Sequence, residues 1–384
     1  MQNNKPQIVF TFPATLGGVS SFNYNIINNS LLIKNFHSKV ILLKEKNDTR
    51  PLFTEIFLVD EQILFEYNAN ENQYHLQKRL SNLLGNAEGA IVTDNGMTVE
   101  AARRFNNPKT IFNLIHDYYY VNQQTKLQDW SDVVIAHSSF FSDAVFASNP
   151  ELYVNRSLYI PYGVKQLSSF AIKENKKLNL VFLGRLEESK GVKYLIDIQN
   201  KLKNNDVSVN WTIIGKGSLA NLLKGQWKEE SVLFCEPKTT EEVYKILKRQ
   251  DVFVFPTMFE GTPVSILEAL ACGVVTIVND LPGGIRDIVK DGIGFKCSLN
   301  NIDEFVEYIK LLNNDRILLS NMQQNCFLLA NEKYDIEKNS ELYFNVFFKY
   351  KELKRVTKSP SKKLLKLDNA FVPNYISKII RSLK

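Results

Sequence analysis

The sequence predicts an α/β protein built from two domains, each with a doubly wound parallel sheet. Short apolar runs typical of buried strands alternate with stretches of helical periodicity along most of the chain. A length of 384 residues is too long for one typical domain and suits two. A hydrophobic share of 44% and a charged share of 23% are ordinary for a globular protein with a sizeable core.

Several other classes of protein are disfavoured by the same sequence. It has no apolar run of membrane-spanning length, and residues 1–13 lack the features of a signal peptide. No pair of cysteines has zinc-type spacing and the histidines are scattered, so no metal site is expected and a reducing compartment is indicated. These residues are Cys235, Cys272, Cys297, Cys326, His37, His75, His116 and His137.

The first half of the chain carries the strands of the first predicted domain. They are predicted at residues 8–12, 39–43, 90–93, 110–115, 133–136 and 158–160. Gly17 and Gly18 follow the first strand, and Ser20 or Ser21 is expected to cap a helix that runs to about residue 33. Glycines at such a turn let backbone amides approach a phosphate, although a plain tight turn is the alternative. Residues 50–73 carry no clear pattern.

One histidine of this half stands where a ligand would be bound. His116 follows the strand at 110–115, at the carboxyl end where open α/β sheets hold their ligands. The alternative is a structural histidine satisfied by Asp117. Asn95 and Gly96, after the preceding strand, are weaker candidates, and the tyrosines at 118–120 could form a stacking platform or belong to a core.

The second domain follows a turn at 160–164 and a polar linker. Its first strands are predicted at 178–183, 211–214 and 231–234. Arg185 and Lys190 follow the first of these strands and could be merely solvated. Gly215 follows the second, in a G-x-G that is a weak signal alone, and Glu236 and Lys238 follow the third.

The rest of the second domain is organised around a strand, elbow, helix and strand between residues 252 and 278. Thr262 is expected as the N-cap of the helix, Pro263 as its first residue, and Gly261 lies on the elbow before them. Glu260 and Glu268 could be ordinary solvated acids. The alternative is that the helix start holds a phosphate while the two carboxylates accept hydrogen bonds from hydroxyl groups.

Together these motifs carry a family resemblance. Glu260 and Glu268, separated by seven residues, resemble the E-x7-E signature of retaining glycosyltransferases with the GT-B fold, family 4 (glycosyl transferases group 1). Arg185 in G-R-L and Lys190 in K-G resemble the second signature of that family. Asp287 stands where many relatives have Glu, which is a mild departure.

The resemblance implies two Rossmann-like domains that face a cleft, with the last helix crossing back to the first domain. The implied bounds are 1–165 with 335–355, then 166–334, then a tail at 356–384. It also implies a metal-independent enzyme that needs no cofactor and moves a sugar from a nucleotide-sugar to a hydroxyl of a growing bacterial surface glycan, such as lipopolysaccharide or capsule, or to a lipid-linked acceptor. Such an enzyme is expected in the cytoplasm or at the inner face of the plasma membrane.

The family also implies roles for individual residues. Glu260 would contact the donor sugar, Glu268 the ribose, and His116 the reacting sugar. Arg185 and Lys190 would neutralise the diphosphate, because its developing negative charge needs fixed cations where no metal is used. The remaining donor-binding residues implied are Gly17, Gly18, Gly215, Glu236, Lys238, Gly261, Thr262 and Pro263. A non-catalytic GT-B subunit and another GT-B enzyme, such as a sugar-nucleotide epimerase, are the alternatives.

The end of the chain has a distinct composition. Residues 351–384 contain ten basic and two acidic residues, a net charge of +8, whereas the whole chain carries +6. Apolar pairs such as those at 371–372 and 379–380 accompany the charge. This predicts contact with an anionic membrane surface, with a solvated tail as the alternative. Nucleic-acid binding is not expected, because no matching motif accompanies the charge.

Overall fold

The computed structural model describes residues 5–28, 30–173, 175–227, 232–355 and 366–382. The chain divides into two compact units, the first formed by residues 1–161 with 337–384 and the second by residues 162–336. In the part of the chain that is described, no helix combines the length and the hydropathy needed to span a membrane.

The first unit is built on a seven-stranded parallel sheet in the order β3-β2-β1-β4-β5-β6-β7, which confirms the predicted doubly wound architecture. Its strands are β1 (Gln7–Pro13), β2 (His37–Glu45), β3 (Glu61–Tyr67), β4 (Gly89–Thr93), β5 (Thr110–Ile115), β6 (Val133–Ala136) and β7 (Ser157–Tyr159). Strand β3, from the segment that the sequence left unassigned, lies at the edge of this sheet.

Helices connect these strands. They are α1 (Gly18–Ile27), α2 (Ser30–Asn35), α3 (Gln73–Leu84), α4 (Gly96–Arg104), α5 (Tyr118–Lys126), α6 (Ser139–Ser148) and α7 (Pro150–Tyr153). The helix predicted to run to about residue 33 is therefore two helices. Ser20 and Ser21 are not its caps: Gly17 is the N-cap, and the Ser20 hydroxyl donates instead to the carbonyl of Thr15 (2.5 Å).

The chain returns to the first unit through α15 (Ile336–Phe347) and α16 (Tyr350–Leu353). The Tyr343 hydroxyl donates to the carbonyl of Ile160 (2.8 Å), and the Phe347 ring packs edge-on against Phe10 and Phe112. This confirms the predicted crossing-back of the last helix. The single helix expected over 335–355 is interrupted by a turn at residues 348–349.

Residues 366–382 lie against the start of α3 and end in α17 (Asn374–Ser382). The Asp368 carboxylate accepts a hydrogen bond from the backbone N–H of Gln73 (2.8 Å) and pairs with Arg381 (2.6 Å). The Asn72 side chain donates to the carbonyls of residues 369 and 372. This part of the predicted tail is therefore docked on the first unit, and the other residues of the tail beyond 355 lie outside the described residues.

The second unit has a six-stranded parallel sheet in the order β10-β9-β8-β11-β12-β13. Its strands are β8 (Leu178–Leu183), β9 (Val209–Ile214), β10 (Val232–Cys235), β11 (Val252–Phe255), β12 (Val275–Asn279) and β13 (Gly294–Cys297). The strand predicted at 231–234 is thus shifted by one residue, and Ser231 lies outside the described residues.

The helices of this unit are α8 (Lys193–Asn204), α9 (Ala220–Gln226), α10 (Thr240–Leu247), α11 (Val264–Ala271), α12 (Gly284–Ile288), α13 (Ile302–Asn314) and α14 (Arg316–Lys333). The residues of β11 are at most 1% exposed, as the continuous apolar run predicts for a central parallel strand. Because all six strands are parallel, their carboxyl ends meet at one edge of the sheet, where the turns after β8, β9, β11 and β12 lie together.

Within the second unit, the two segments at its ends run side by side. The backbone N–H of Val164 donates to the carbonyl of Tyr334 (2.8 Å), and that of Ile336 donates to the carbonyl of Val164 (3.1 Å). A Cβ on Gly163 would lie 2.5 Å from the Cα of Ile336, so the close approach of the two segments requires glycine there.

Candidate functional site

The elbow after β11 is tied to the 3₁₀ turn Glu188–Lys190 that follows β8. The backbone N–H of Met258 donates to the carbonyl of Ser189 (2.9 Å), and the Asn279 side chain donates to the carbonyl of Thr257 (2.9 Å). Residues from three neighbouring strand ends are therefore held together. Their contact places the side chain of Lys190 beside the elbow.

Gly191 allows this approach. It has a φ of +67°, and a Cβ added to it would lie 1.8 Å from the carbonyl oxygen of Pro256. A side chain at this position is therefore excluded both by the backbone conformation and by the elbow. Packing against the elbow therefore requires glycine in the K-G pair, which the sequence alone does not reveal.

Lys190 and Glu260 form an ion pair. The Nζ atom lies 2.5 Å from Oε1 of Glu260, and the two side chains are only 14% and 12% exposed. The Lys190 ammonium also lies 3.4 Å from the carbonyl oxygen of Phe259. Burial raises the pKa of the Glu260 carboxyl, and the charge of Lys190 opposes that rise.

Glu268 lies on α11 and has no such partner. It is only partly exposed, and no described residue offers its carboxylate a hydrogen bond or an ion pair. Burial raises its pKa to about 7, from a usual value of 4.5. A carboxylate in this state gains from any hydroxyl donor that reaches it, because hydrogen bonds to the charged form offset its desolvation.

The start of α11 differs by one residue from the prediction. Pro263 is the N-cap and Val264 the first helical residue, and no side chain caps the helix, so Thr262 is not the cap. The backbone N–H of Gly284 donates to the carbonyl of Gly261 (2.9 Å), and a Cβ on Gly284 would lie 2.6 Å from the Cα of Thr262. The following turn therefore packs on Gly261 and Thr262, while Pro263 stays extended with ψ of 110°.

Arg185 lies on the turn after β8 and is largely exposed. Its guanidinium pairs with Glu187 at 2.8 Å, and its charge is among those that oppose the raised pKa of Glu260. Gly215 supports this turn, because a Cβ there would lie 1.9 Å from the carbonyl oxygen of Gly184. The predicted glycine thus has a packing role beside the arginine.

Glu236 and Lys238 lie beyond the end of β10. The Glu236 carboxylate pairs with Lys216 (3.3 Å), and the backbone N–H of Lys238 donates to Glu242 (2.8 Å). These contacts order the segment before α10. They do not join either residue to the pair of Lys190 and Glu260.

The first unit carries the other predicted residues at the carboxyl ends of its own strands. Gly17 has an extended φ of 169° and, with Gly18, is exposed; a Cβ on Gly17 would meet no atom within 4 Å. The fold itself therefore does not require glycine at position 17. Open backbone at the start of a helix is suited to an anionic ligand.

His116 is buried, and the sequence did not identify its neighbours. Its Nε2 lies 3.4 Å from Oδ2 of Asp94, and its ring packs against those of Tyr120 and His137 (centroids 5.0 and 4.8 Å apart). Asp117, which the sequence offered as its partner, instead caps α5 by accepting from the N–H of Tyr119. Asp94 follows β4 directly. Its position at the end of the adjacent strand was therefore the signal in the sequence that could have identified it as a neighbour of His116.

A second histidine, His137, packs beside His116. His137 is fully buried, and burial lowers its pKa well below the usual value. The neighbouring His116 lowers the pKa further. The Nδ1 atom of His137 lies 2.7 Å from the hydroxyl of Tyr343 on α15. Asn95, a weaker candidate, caps α4 by accepting from the N–H of Met97.

The structure thus groups the predicted residues by unit. Lys190, Glu260 and Arg185 lie at one sheet edge of the second unit, with Glu268 on the helix that follows, and His116 and Gly17 lie on the first. Among the described residues, no cluster of histidine, cysteine and acidic side chains could hold a metal ion.

Sequence comparison relates the second unit to a known family. The family described as "Glycosyl transferases group 1" matches residues 165–327. A UDP-Gal:alpha-D-GlcNAc-diphosphoundecaprenol alpha-1,3-galactosyltransferase of Escherichia coli is 33% identical over 199 residues, covering 46% of this chain and 50% of the relative. An N,N'-diacetylbacillosaminyl-diphospho-undecaprenol alpha-1,3-N-acetylgalactosaminyltransferase of Campylobacter jejuni is 28% identical over 175 residues, 44% of each. The chain spans about half the length of the curated relatives it matches.

Structure comparison shows the fold over most of the chain. HepE of Anabaena, solved with UDP and glucose, superposes with a TM-score of 0.71 at 15% identity, covering 89% of this chain and 99% of HepE. The lipopolysaccharide outer core galactosyltransferase WaaB, solved in its apo form, gives 0.64 at 18% identity and the same coverage. At these identities the likeness establishes the GT-B fold alone.

Proposed function

Residues 165–327 are a glycosyl transferases group 1 domain in a chain with the GT-B fold, and on that premise we propose that the protein is a retaining, metal-independent glycosyltransferase. It would move a sugar from a nucleotide-sugar to a hydroxyl of a growing bacterial surface glycan. The observation that carries this proposal is the site on the second unit, where a shielded lysine–glutamate pair accompanies an unpartnered carboxylate.

The diphosphate of the donor is assigned to Lys190 and Arg185. An ammonium has three hydrogens to donate, and Glu260 and the carbonyl of Phe259 account for two of them. The third remains for a phosphate oxygen, and the exposed Arg185 guanidinium supplies a second positive charge. Backbone amides near Gly18 and at the start of α11 would assist.

The two carboxylates are assigned to hydroxyl groups of the donor. Glu260, which Lys190 holds at the elbow, would accept from the sugar. Glu268, whose carboxylate is partly buried, would accept from the ribose, as acidic residues do in other nucleotide sites. Burial of the two carboxylates costs free energy in the protein without donor. Hydrogen bonds from the donor hydroxyls would offset that cost and so favour donor binding.

We assign no covalent nucleophile. In the proposed reaction the bond between the anomeric carbon and the leaving phosphate oxygen breaks, and the acceptor oxygen bonds to the same face. The departing phosphate takes the acceptor proton. His116, in its buried setting beside Asp94, would contact the reacting sugar.

The acceptor is proposed from the relatives. The E. coli relative is named for an acceptor on diphosphoundecaprenol, and the C. jejuni relative likewise. A lipid-linked or surface-glycan acceptor is accordingly proposed for this chain, and with it a location at the inner face of the plasma membrane. UDP-sugars are the first donors to test, because HepE was solved with UDP-glucose.

The test is a thermal-shift panel of nucleotide-sugars followed by donor hydrolysis without acceptor. A donor at about 100 times its dissociation constant should stabilise the protein by roughly 2.7 kcal/mol. Glu268→Gln should weaken that shift, whereas Glu242→Gln, which only affects the segment before α10, should retain it. A protein that binds a nucleotide-sugar but never cleaves it would be a non-catalytic subunit, and one that returns an isomerised donor would be an epimerase.

A further inference from the structure

We propose that the outward face of α17 is a docking surface for an anionic lipid membrane. The surface, called here the apolar tail face, consists of Tyr375, Ile379 and Ile380 on α17 together with Phe371 on the turn before it. In that order they are 64%, 55%, 37% and 94% exposed. The proposal concerns an interaction surface of the first unit and does not depend on the glycosyltransferase activity.

The first observation is that α17 is docked with its polar side inward. The Asn374 side chain accepts from the backbone N–H of Asn72 (2.8 Å) and donates to the Glu71 carboxylate (3.2 Å). Ser377 is fully buried and donates to the carbonyl of Leu367 (2.8 Å). Arg381 pairs with Asp368 (2.6 Å). Surface helices of globular proteins normally bury their apolar residues and expose their polar ones, so this orientation is the reverse of the usual one.

The second observation is the spacing of the exposed apolar residues. Tyr375 and Ile379 are four residues apart on the helix and therefore lie on one side of it, and the exposed Phe371 lies on the turn that precedes the helix. Tyr375 and Ile379 thus share one side of the helix, with Ile380 at its margin and Phe371 on the preceding turn. Exposed apolar residues grouped in this way mark a surface that another molecule or a membrane would shield from water.

The third observation is charge. The segment 351–384 carries a net charge of +8, and its one acidic residue after position 352, Asp368, is already neutralised by Arg381. Lys366 is exposed, and Lys378 is 44% exposed although its ammonium lies 4.0 Å from a Glu71 carboxylate oxygen, so two accessible cations belong to the same segment as the apolar tail face. Basic residues that flank a narrow apolar face are typical of helices that lie in the interface of an anionic bilayer.

A second copy of the chain fits this face less well. Stable protein interfaces bury at least about 1,200 Å² in total, far more than four side chains provide. Two such segments would also bring together charges of the same sign. An anionic lipid surface satisfies both the apolar residues and the cations, and it fits without a shape-matched partner.

The experiment uses the full chain and two triple variants. Phe371→Ser/Tyr375→Ser/Ile379→Ser removes most of the apolar tail face and leaves the docking hydrogen bonds in place. Ile56→Ser/Leu233→Ser/Ile317→Ser is the matched control, because those three residues are 77%, 59% and 77% exposed elsewhere. Each protein is sedimented with vesicles of phosphatidylcholine alone and of phosphatidylcholine with phosphatidylglycerol.

We expect the full chain and the control variant to pellet with the phosphatidylglycerol vesicles and not with phosphatidylcholine alone. The tail variant should bind at least about 10-fold more weakly, since each lost apolar side chain removes several buried methylene groups. Its melting temperature and its nucleotide-sugar shift should match those of the full chain. Binding of the full chain should weaken as salt rises.

Any of four outcomes would overturn the proposal. The tail variant could pellet as well as the full chain, which would place any membrane contact elsewhere. The full chain could fail to bind either vesicle, or bind both equally. Alternatively, the full chain could form a dimer in sedimentation velocity that the tail variant does not form, which would identify a second copy as the occupant.

Discussion

Lys190 and Glu260 illustrate what a motif does and does not reveal at the scale of single residues. Both were identified from the sequence, one in each signature, yet they are 70 positions apart and nothing in the pattern said that they touch. Their contact depends on Gly191, which lets the turn approach the elbow. The sequence therefore predicted the members of the site, and three-dimensional packing supplied the pair.

The environment of His116 was beyond sequence reasoning for a similar reason. Asp117 is its neighbour along the chain, but a residue and its successor on a strand end point in different directions, and Asp117 caps the next helix. Asp94 comes from the adjacent strand, so its proximity requires the strand order. Strand order is a property of the folded sheet and is not present in local patterns.

Removing either cation should lower turnover, but with different effects on stability. Lys190→Ala and Arg185→Ala should each reduce turnover at least ~100-fold, the scale of losing one preorganised donor at a developing charge. Lys190→Ala should also destabilise the fold by roughly 2–3 kcal/mol, because it leaves the shielded Glu260 carboxylate without its partner. Arg185→Ala should change stability by less than about 0.5 kcal/mol, because its ion pair is exposed.

Steady-state kinetics and thermal unfolding measure the two effects separately. Lys193→Ala is the control, because that exposed lysine pairs only with exposed Glu188. Near-wild-type turnover in either cation variant would remove that residue from the proposed site. Lys190→Ala/Glu260→Gln should recover stability without recovering activity.

The raised pKa of Glu268 makes stability depend on pH. The folded protein holds this proton up to about pH 7 and the unfolded chain only to about 4.5, so folding loses stability as pH rises between those values. Glu268→Gln should thus gain stability relative to the natural protein above pH 7 and none below about pH 4.5. The gain should be on the order of 1 kcal/mol, because partial exposure screens the charge. Thermal unfolding of both proteins from pH 4 to 8 measures it.

The same carboxyl should couple donor binding to protons. If ribose hydroxyls donate to the ionised form, binding lowers its pKa and releases a proton, so affinity should rise as pH increases through about 7. Titration calorimetry in buffers of different ionisation enthalpy detects that release. An identical pH dependence in Glu268→Gln would show that the proton comes from another group.

At the scale of elements, the central strand–elbow–helix–strand unit was predicted well because each part has a strong local signal. Its error was one residue at the helix start, where Pro263 remains extended against the turn that packs on the elbow. Strand β3 was missed because it is an edge strand: its burial alternates and Glu61 and Glu66 interrupt its apolar pattern. Charged residues on an edge strand protect the sheet from pairing with another strand. They also interrupt the apolar pattern by which a strand is recognised in a sequence.

Two glycines in turns should respond differently to alanine. Gly17→Ala should leave the melting temperature within about 1 °C, because its φ suits any residue and a methyl group would meet open space. It should nevertheless reduce turnover ~10-fold or more if the backbone there approaches the donor phosphate. Gly191→Ala is the contrasting variant, since its φ of +67° and the nearby Pro256 carbonyl should destabilise the fold by more than about 1 kcal/mol.

Kinetics and thermal unfolding of the two variants test this contrast. Unchanged turnover in a folded Gly17→Ala protein would indicate that no ligand approaches that turn.

At the scale of the whole molecule, the charge of the last residues was visible in the sequence but their docking was not. Residues 366–382 are held on α3 by hydrogen bonds between groups about 300 positions apart, and local sequence patterns do not reveal partners that far apart. Asp368 sits at the start of α3, where a carboxylate is favoured by the N-terminal amides. Composition thus predicted a basic tail, and the structure shows a structural role for part of it.

Truncation after Thr357 should consequently lower stability. It removes the Asp368 carboxylate and several carbonyl acceptors from the start of α3, a loss of roughly 1–3 kcal/mol and a fall of several degrees in melting temperature. Arg381→Ala should reproduce part of the effect, because it breaks the pair with Asp368. Equal thermal stability of the truncated and full chains would mean that this docking contributes nothing.

The proposed chemistry predicts activity in the presence of a chelator. With Lys190, Arg185 and a helix start to neutralise the diphosphate, transfer should continue at full rate after treatment with excess EDTA. Product formation from the donor found in the thermal-shift panel measures this. Loss of activity that manganese or magnesium restores would contradict the metal-independent assignment.

The return of the chain to the first unit has a consequence for how the protein is made. The core of that unit includes Tyr343, Phe344 and Phe347, which leave the ribosome only after all of residues 162–336. The second unit is continuous in sequence, so its core can close while the first still lacks a helix. The usual order of folding, amino-terminal domain first, can thereby be reversed during synthesis, and a chaperone on the nascent chain would then encounter the apolar surface that later packs against α15.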